Sequence, residues 1–106
     1  MPIIMTTVWY PYSQRIKMAK TMIEAVKKYP ADETIQKNLA MAWMRDKGGI
    51  KAVLMNEVME GKLQEALDLT NEIIDLYIDI EGFSVRLDIM AAPVEAWQWI
   101  NMPMPE

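Results

Sequence analysis

Cysteine and histidine are both absent from this chain of 106 residues. The first absence excludes disulfide staples, thiolate nucleophiles, cysteine-ligated zinc and iron–sulfur clusters. The second removes the commonest general base and the commonest metal ligand, so Ser-His-Asp, Cys-His and His-Glu-x-x-His schemes are all closed. Excess positive charge is lacking too. The net charge of −4 argues against nucleic-acid phosphates and anionic membranes as partners. No apolar run approaches the length of about 18 residues that spans a bilayer. The opening "MPIIMTTVWYPYS" lacks the basic stretch and small-residue cleavage site of a signal peptide. A cytoplasmic protein with no membrane or nucleic-acid partner is therefore expected.

What is present fits one globular domain. The chain is 52% hydrophobic and 25% charged, proportions that suit a folded domain and not a disordered or fibrous one. A domain of this length buries roughly two-thirds of the surface its unfolded chain exposes. One domain is expected over residues 1–106.

Residues 3–10 are apolar on both alternating faces, Ile3, Met5, Thr7 and Trp9 against Ile4, Thr6, Val8 and Tyr10, as in a strand covered on both sides. From Ser13, a plausible helix cap, the period changes. Ile16, Ala19, Ile23 and Val26 share a helical stripe widened by Met18, Met22, Ala25 and Tyr29, and Pro30 stops it. A link, "ADETIQ", leads to two strands over residues 38–60 joined at Gly48 and Gly49. With both glycines in the loop, Asp46 faces Lys51, Trp43 faces Leu54 and Met41 faces Asn56. Residues 62–80 carry Leu63, Ala66, Leu67, Thr70, Ile73, Ile74, Tyr77 and Ile78 at helical spacing, ended by Gly82. "FSVRLDIM" alternates as a last strand, with Val85, Leu87 and Ile89 opposite Arg86 and Asp88. Pro93 opens a short helix over residues 93–100, before an extended tail over residues 101–106.

This order, βαββαβ, predicts a ferredoxin-like α+β fold: a four-stranded antiparallel sheet with two helices on one face. The other face carries apolar side chains on the order of a 400 Å² patch, close to the largest a soluble monomer usually exposes. A second copy is the economical cover. At this point the chain resembles the dimeric α+β barrel superfamily, which includes the cofactor-independent antibiotic-biosynthesis monooxygenases and related small proteins. The likeness rests on element order and on "EGKLQEALDLTNEIIDLYIDIEGFSVRLDIM", where a Gly-led helix runs through an "EGF" turn into the last strand. It implies a homodimeric barrel, a small-molecule ligand between helices and sheet, and oxygenase-like chemistry using the substrate's own reactivity. The haem-binding members use an axial His, which this chain lacks, so no cofactor is expected.

The aromatic residues Trp9, Tyr10, Tyr12 and Trp43 are the candidate pocket residues, with Arg86 to orient a ligand and Arg86 or Asp88 as catalytic candidates. Trp97 and Trp99 extend that aromatic set. Trp9 and Tyr10 must face opposite sides of the sheet, so at most one lines a helix-side cleft. Pro2 raises a different reading. "PII" before a strand and helix is similar to the start of the tautomerase superfamily, where an amino-terminal proline is a general base, and Arg15 or Arg45 would then hold a carboxylate substrate. A non-catalytic structural or assembly module is the third reading. RNA recognition shares the element order, but "IKAVLMNEV" lacks the basic and aromatic residues that a third strand needs for it. The eleven methionines read as adaptable core filler and not as a copper site. Residues 13–29 carry a charge of +4 and residues 62–81 a charge of −5, as complementary solvated helix faces. Asp75, Asp79 and Glu81 lack the spacing of a calcium loop, so no metal is expected.

Overall fold

The computed structural model describes residues 1–105. Strand β1 (Ile3–Pro11) leads through a short 3-10 turn (Tyr12–Gln14) into helix α1 (Arg15–Lys28). Strands β2 (Gln36–Asp46) and β3 (Gly49–Val58) form a hairpin, followed by helix α2 (Leu63–Asp75), strand β4 (Ser84–Met90) and the short helix α3 (Pro93–Gln98). The sheet order is β2-β3-β1-β4 with all three pairings antiparallel, the ferredoxin-like topology expected from the sequence. No helix among the described residues is long and apolar enough to cross a membrane.

The sheet is open. Its edges, β2 and β4, do not pair, so the expected α+β barrel is corrected to a single open sheet. The homodimer and the oxygenase-like chemistry that followed from the barrel lose their basis with it. The expectation came from β1 being apolar on both faces; at the centre of its second face the neighbouring side chains alone bury the strand. Thr7 sits between Met5 and Trp9 on its own strand and between Val53 and Arg86 on the paired strands, and it is only 4% exposed.

Two packed clusters tie the helices to the sheet. At one end Ile4, Val58 and Ala66 pack with Leu63, Leu67 and Leu87. At the other, Tyr10, Met18 and Ile80 pack with Ile50, Tyr77 and Phe83. The radius of gyration, 15.5 Å, exceeds the ~13 Å of a compact chain this long.

The hairpin turn is Lys47-Gly48, not Gly48-Gly49, so the register slides by two residues and Trp43 faces Ala52 while Met41 faces Leu54. Lys47 and Gly48 have φ of 43° and 81°, the paired positive angles of the two-residue turn whose twist matches that of the strands. Gly49 is needed for a different reason. A Cβ there would lie 2.7 Å from the Tyr10 carbonyl oxygen. Because the slide is an even number, no side chain changes face.

Three helix expectations also change. Ser13 lies in the 3-10 turn, and Gln14 stands at the N-cap of α1 without a side-chain cap bond. The inward stripe of α1 is Met18, Ala19, Met22 and Ala25, while Ile16, Ile23 and Val26 are more than half exposed. Helix α2 ends at Asp75 and the chain continues in turns, with no basic residue to favour a further negatively charged helix end. Unwinding turns Ile80 inward (3% exposed) and leaves Ile78 outside (63%).

The two hairpin glycines should be separable by unfolding in urea. Gly48→Ala meets open space and is expected to cost about 1 kcal/mol through its positive φ alone. Gly49→Ala, which must push against a neighbouring backbone, is expected to cost about 2 kcal/mol or more. The reverse order would place the turn one residue too early.

Candidate functional site

Between the two packed clusters the helices and the sheet enclose a cleft of about 370 Å³. Its floor is the helix-side row of the sheet, where Thr6 of β1, Ala52 and Leu54 of β3, and Met41 and Trp43 of β2 stand side by side in register. Its roof is Met18, Ala19 and Met22 of α1 and Thr70, Ile73 and Ile74 of α2. The residues at mid-cleft are short: Thr6, Ala19, Ala52 and Thr70 cannot bridge the two layers, and the space follows from that. The cleft runs along the strands. From Ala52 to Asn56, on alternate residues of one face, is about 13 Å.

Polar groups lie at the ends. At the inner end, Asn38 Nδ2 donates to Asn56 Oδ1 at 3.1 Å, and Gln36 Oε1 is buried with no hydrogen-bond partner among the described residues. At the hairpin end stand Tyr10, Tyr77 and Arg15. Thr70 Oγ1 donates to the Ala66 carbonyl at 2.7 Å, so it faces the cleft as an acceptor. Burial raises the phenol pKa of both Tyr10 and Tyr77, which keeps them neutral donors at physiological pH.

Of the residues singled out in the sequence, Tyr10 and Trp43 line the cleft. Trp9 is on the opposite face, where the Lys51 ammonium lies 5.7 Å from its ring centroid. Arg86 and Asp88 also lie on that face, joined by a 3.0 Å ion pair within β4. They are thus neighbours of each other and not of the cleft. Tyr12 does not line the cleft; with Arg45 it lines a small recess beside the hairpin, its ring flanked by Arg45 and by the cleft residue Arg15 at 4.8 and 4.3 Å from guanidinium carbon to centroid. Trp97 and Trp99 line no part of the cleft.

Pro2, on which the tautomerase reading rested, stands just before β1. Its carbonyl accepts the Val58 N–H at 2.8 Å, and it lines neither the cleft nor the small recess beside Tyr12. The Met1 ammonium is engaged by the Glu95 carboxylate, whose pKa is lowered by that hydrogen bond and by one from the Ala92 N–H. Gln36, Asn56, Thr70 and the methionine wall carry the site's shape and polarity, yet no motif marked them. Gln36 in particular sits in what reads as a link, and only the strand's early start turns it inward.

No protein-family model and no curated protein matches the chain. Among solved structures it is similar to a de novo designed protein, Foldit4, with a TM-score of 0.53 over 86% of this chain and 97% of that one. At 11% identity this likeness concerns the fold alone.

The buried phenols give a pH prediction. A raised folded-state pKa means that the native state holds its proton more tightly than the unfolded chain. The corresponding stability is complete below the unfolded value of about 10 and is lost as pH rises through the folded value. Ultraviolet titration of phenolate should show Tyr10 and Tyr77 ionising later than free tyrosine, and Tyr77→Phe should remove one of the late transitions. Two Tyr10 and Tyr77 transitions at the free-tyrosine pH would mean that the cleft end is wet.

Proposed function

We propose that this chain is a binding module for a small, elongated, largely apolar molecule held between the helices and the sheet. The observation that carries this reading is the cleft itself. Its volume of about 370 Å³ falls within the ~300–1,000 Å³ of small-molecule sites, and its walls are aliphatic and methionine side chains with polar groups confined to the ends.

The character of the walls favours this reading. Methionines 18, 22 and 41 are unbranched and adapt to a guest without a large rotamer penalty. Gln36 lines the inner end with its Oε1 buried and unpaired, and a turn of its amide would present that acceptor to a guest. A ligand with a hydroxyl or N–H there would supply the bond whose lack otherwise costs about 1–3 kcal/mol. Trp43, half exposed at the cleft's outer wall, would close over the guest. A cytoplasmic setting belongs to the same proposal.

Titration with linear alcohols tests it. Each methylene from butanol to octanol is expected to tighten binding about two- to fourfold, as burial of a CH₂ contributes about 0.8 kcal/mol. Trp43 fluorescence reports the event, and Trp43→Phe should remove that signal. Ala52→Leu, which fills the middle of the floor, is expected to weaken octanol at least about tenfold while shifting urea stability by about 1–3 kcal/mol or less. Affinity that does not grow with chain length, or that survives Ala52→Leu, would falsify the reading.

A further inference from the structure

We infer that the ligand carries a carboxylate at its outer end, received by Arg15 and Arg45 at the mouth of the cleft. This rests on the proposed binding reading and names its ligand class: an elongated hydrocarbon with one terminal carboxylate and a hydrogen-bond donor toward Gln36.

The two arginines are brought together by unrelated parts of the fold. Arg15 opens α1 immediately after the turn that ends β1. Arg45 lies near the end of β2, two residues beyond Trp43 and on the same face. Their guanidinium carbons lie 4.3 and 4.8 Å from the centroid of one ring, that of Tyr12. A stacked guanidinium spends its flat face on the ring and leaves its in-plane N–H groups free. Arg15 uses one of them, Nη1, on the Tyr12 carbonyl at 3.1 Å. Among the described residues neither arginine forms a salt bridge.

That last point is informative because carboxylates are available at this end. Asp46 lines the same small recess as Arg45, Lys47 and Tyr12, and Asp75, Asp79 and Glu81 follow the end of α2. None of them comes within ion-pair distance of either guanidinium. The two charges are thus held by an aromatic ring and remain available to an incoming acid. Arg15 also lines the main cleft, so a carboxylate there is continuous with an apolar body inside it. From the level of Ile50, paired with Arg45, to Asn56 at the inner end is about 20 Å along the strand. An arginine reaching back shortens that span to suit a chain of about ten carbons. A planar, singly charged carboxylate matches the fork of a guanidinium, and charge-assisted bonds of this type are the strong ones.

The test compares 10-hydroxydecanoate with decane-1,10-diol and 10-aminodecan-1-ol, which share the body and the inner hydroxyl and differ only in the outer group. At low ionic strength the acid is expected to bind at least about tenfold tighter than the diol, with the amine weakest. The acid-to-diol ratio should fall toward one in high salt. It should fall likewise in the Arg15→Gln/Arg45→Gln double variant. Equal affinity for acid and diol in the unaltered protein overturns the inference, as does a ratio that the double variant preserves, or tighter binding of the amine. In each of those cases octanol binding shows that the cleft reading stands. If octanol also fails to bind, both fall together.

Discussion

The helices touch the sheet firmly at two places and only loosely between them, and most of what is distinctive in this fold follows. Ile4, Val58 and Ala66 hold one end, Tyr10, Met18 and Ile80 the other. Each buried aliphatic or aromatic side chain contributes about 1.5–3 kcal/mol, so two such clusters can anchor a two-layer domain without a continuous core. The residues that would join them are Thr6, Ala19, Ala52 and Thr70, none long enough to cross the gap. A large side chain at any of these positions would extend the core and shrink the cleft. Stability and cavity are therefore set by the same few positions, in opposite directions.

The element order was legible because the local signals agree with one another. Alternation marks β1 and β4, the i, i+3, i+4 spacing marks the two long helices, and the glycines mark the hairpin. What escaped is what local pattern does not encode. Helix α1 has two apolar stripes, and periodicity alone cannot choose between Met18–Met22–Ala25 and Ile16–Ile23–Val26; docking onto Tyr10 and Ile80 chooses. The hairpin slides by two residues, with Lys47 and Gly48 at positive φ in the turn and Gly49 kept in the strand, where the lack of a Cβ admits the Tyr10 carbonyl. An even slide keeps faces, which is why Trp43 still shares a row with Leu54. A slide of one would have sent it to the other side.

The barrel expectation failed for a related reason. An apolar strand face indicates that something covers it without saying what. Here part of the cover is local: the Lys51 ammonium lies 5.7 Å from the Trp9 ring centroid, Arg86 pairs with Asp88, and Thr7 is enclosed between neighbours on three strands, while Met44 stays 55% exposed. Long amphipathic side chains can shield apolar surface with their stems while their charges stay in water. The aromatic pair Trp9 and Tyr10 divides between the two faces, Tyr10 to the cleft and Trp9 to the side away from the helices.

The mouth of the cleft depends on chain geometry at two turns. Pro11 ends β1 with a φ of −63°, and the 3-10 turn that follows presents the Tyr12 ring where α1 begins. That places Arg15 one helical step away. Arg45 arrives from the opposite side only because β2 runs eleven residues and turns at Lys47, a non-glycine residue held at φ 43°. Had the hairpin closed at Gly48-Gly49, Arg45 would pair two residues further along β3 and stand about 7 Å from its present level on the sheet. Lys47, strained and exposed, has no packing role that would account for its backbone. The strain of a non-glycine residue in the left-handed region is about 1 kcal/mol or more. In this fold that cost is tied to the register that brings Arg45 to the ring of Tyr12.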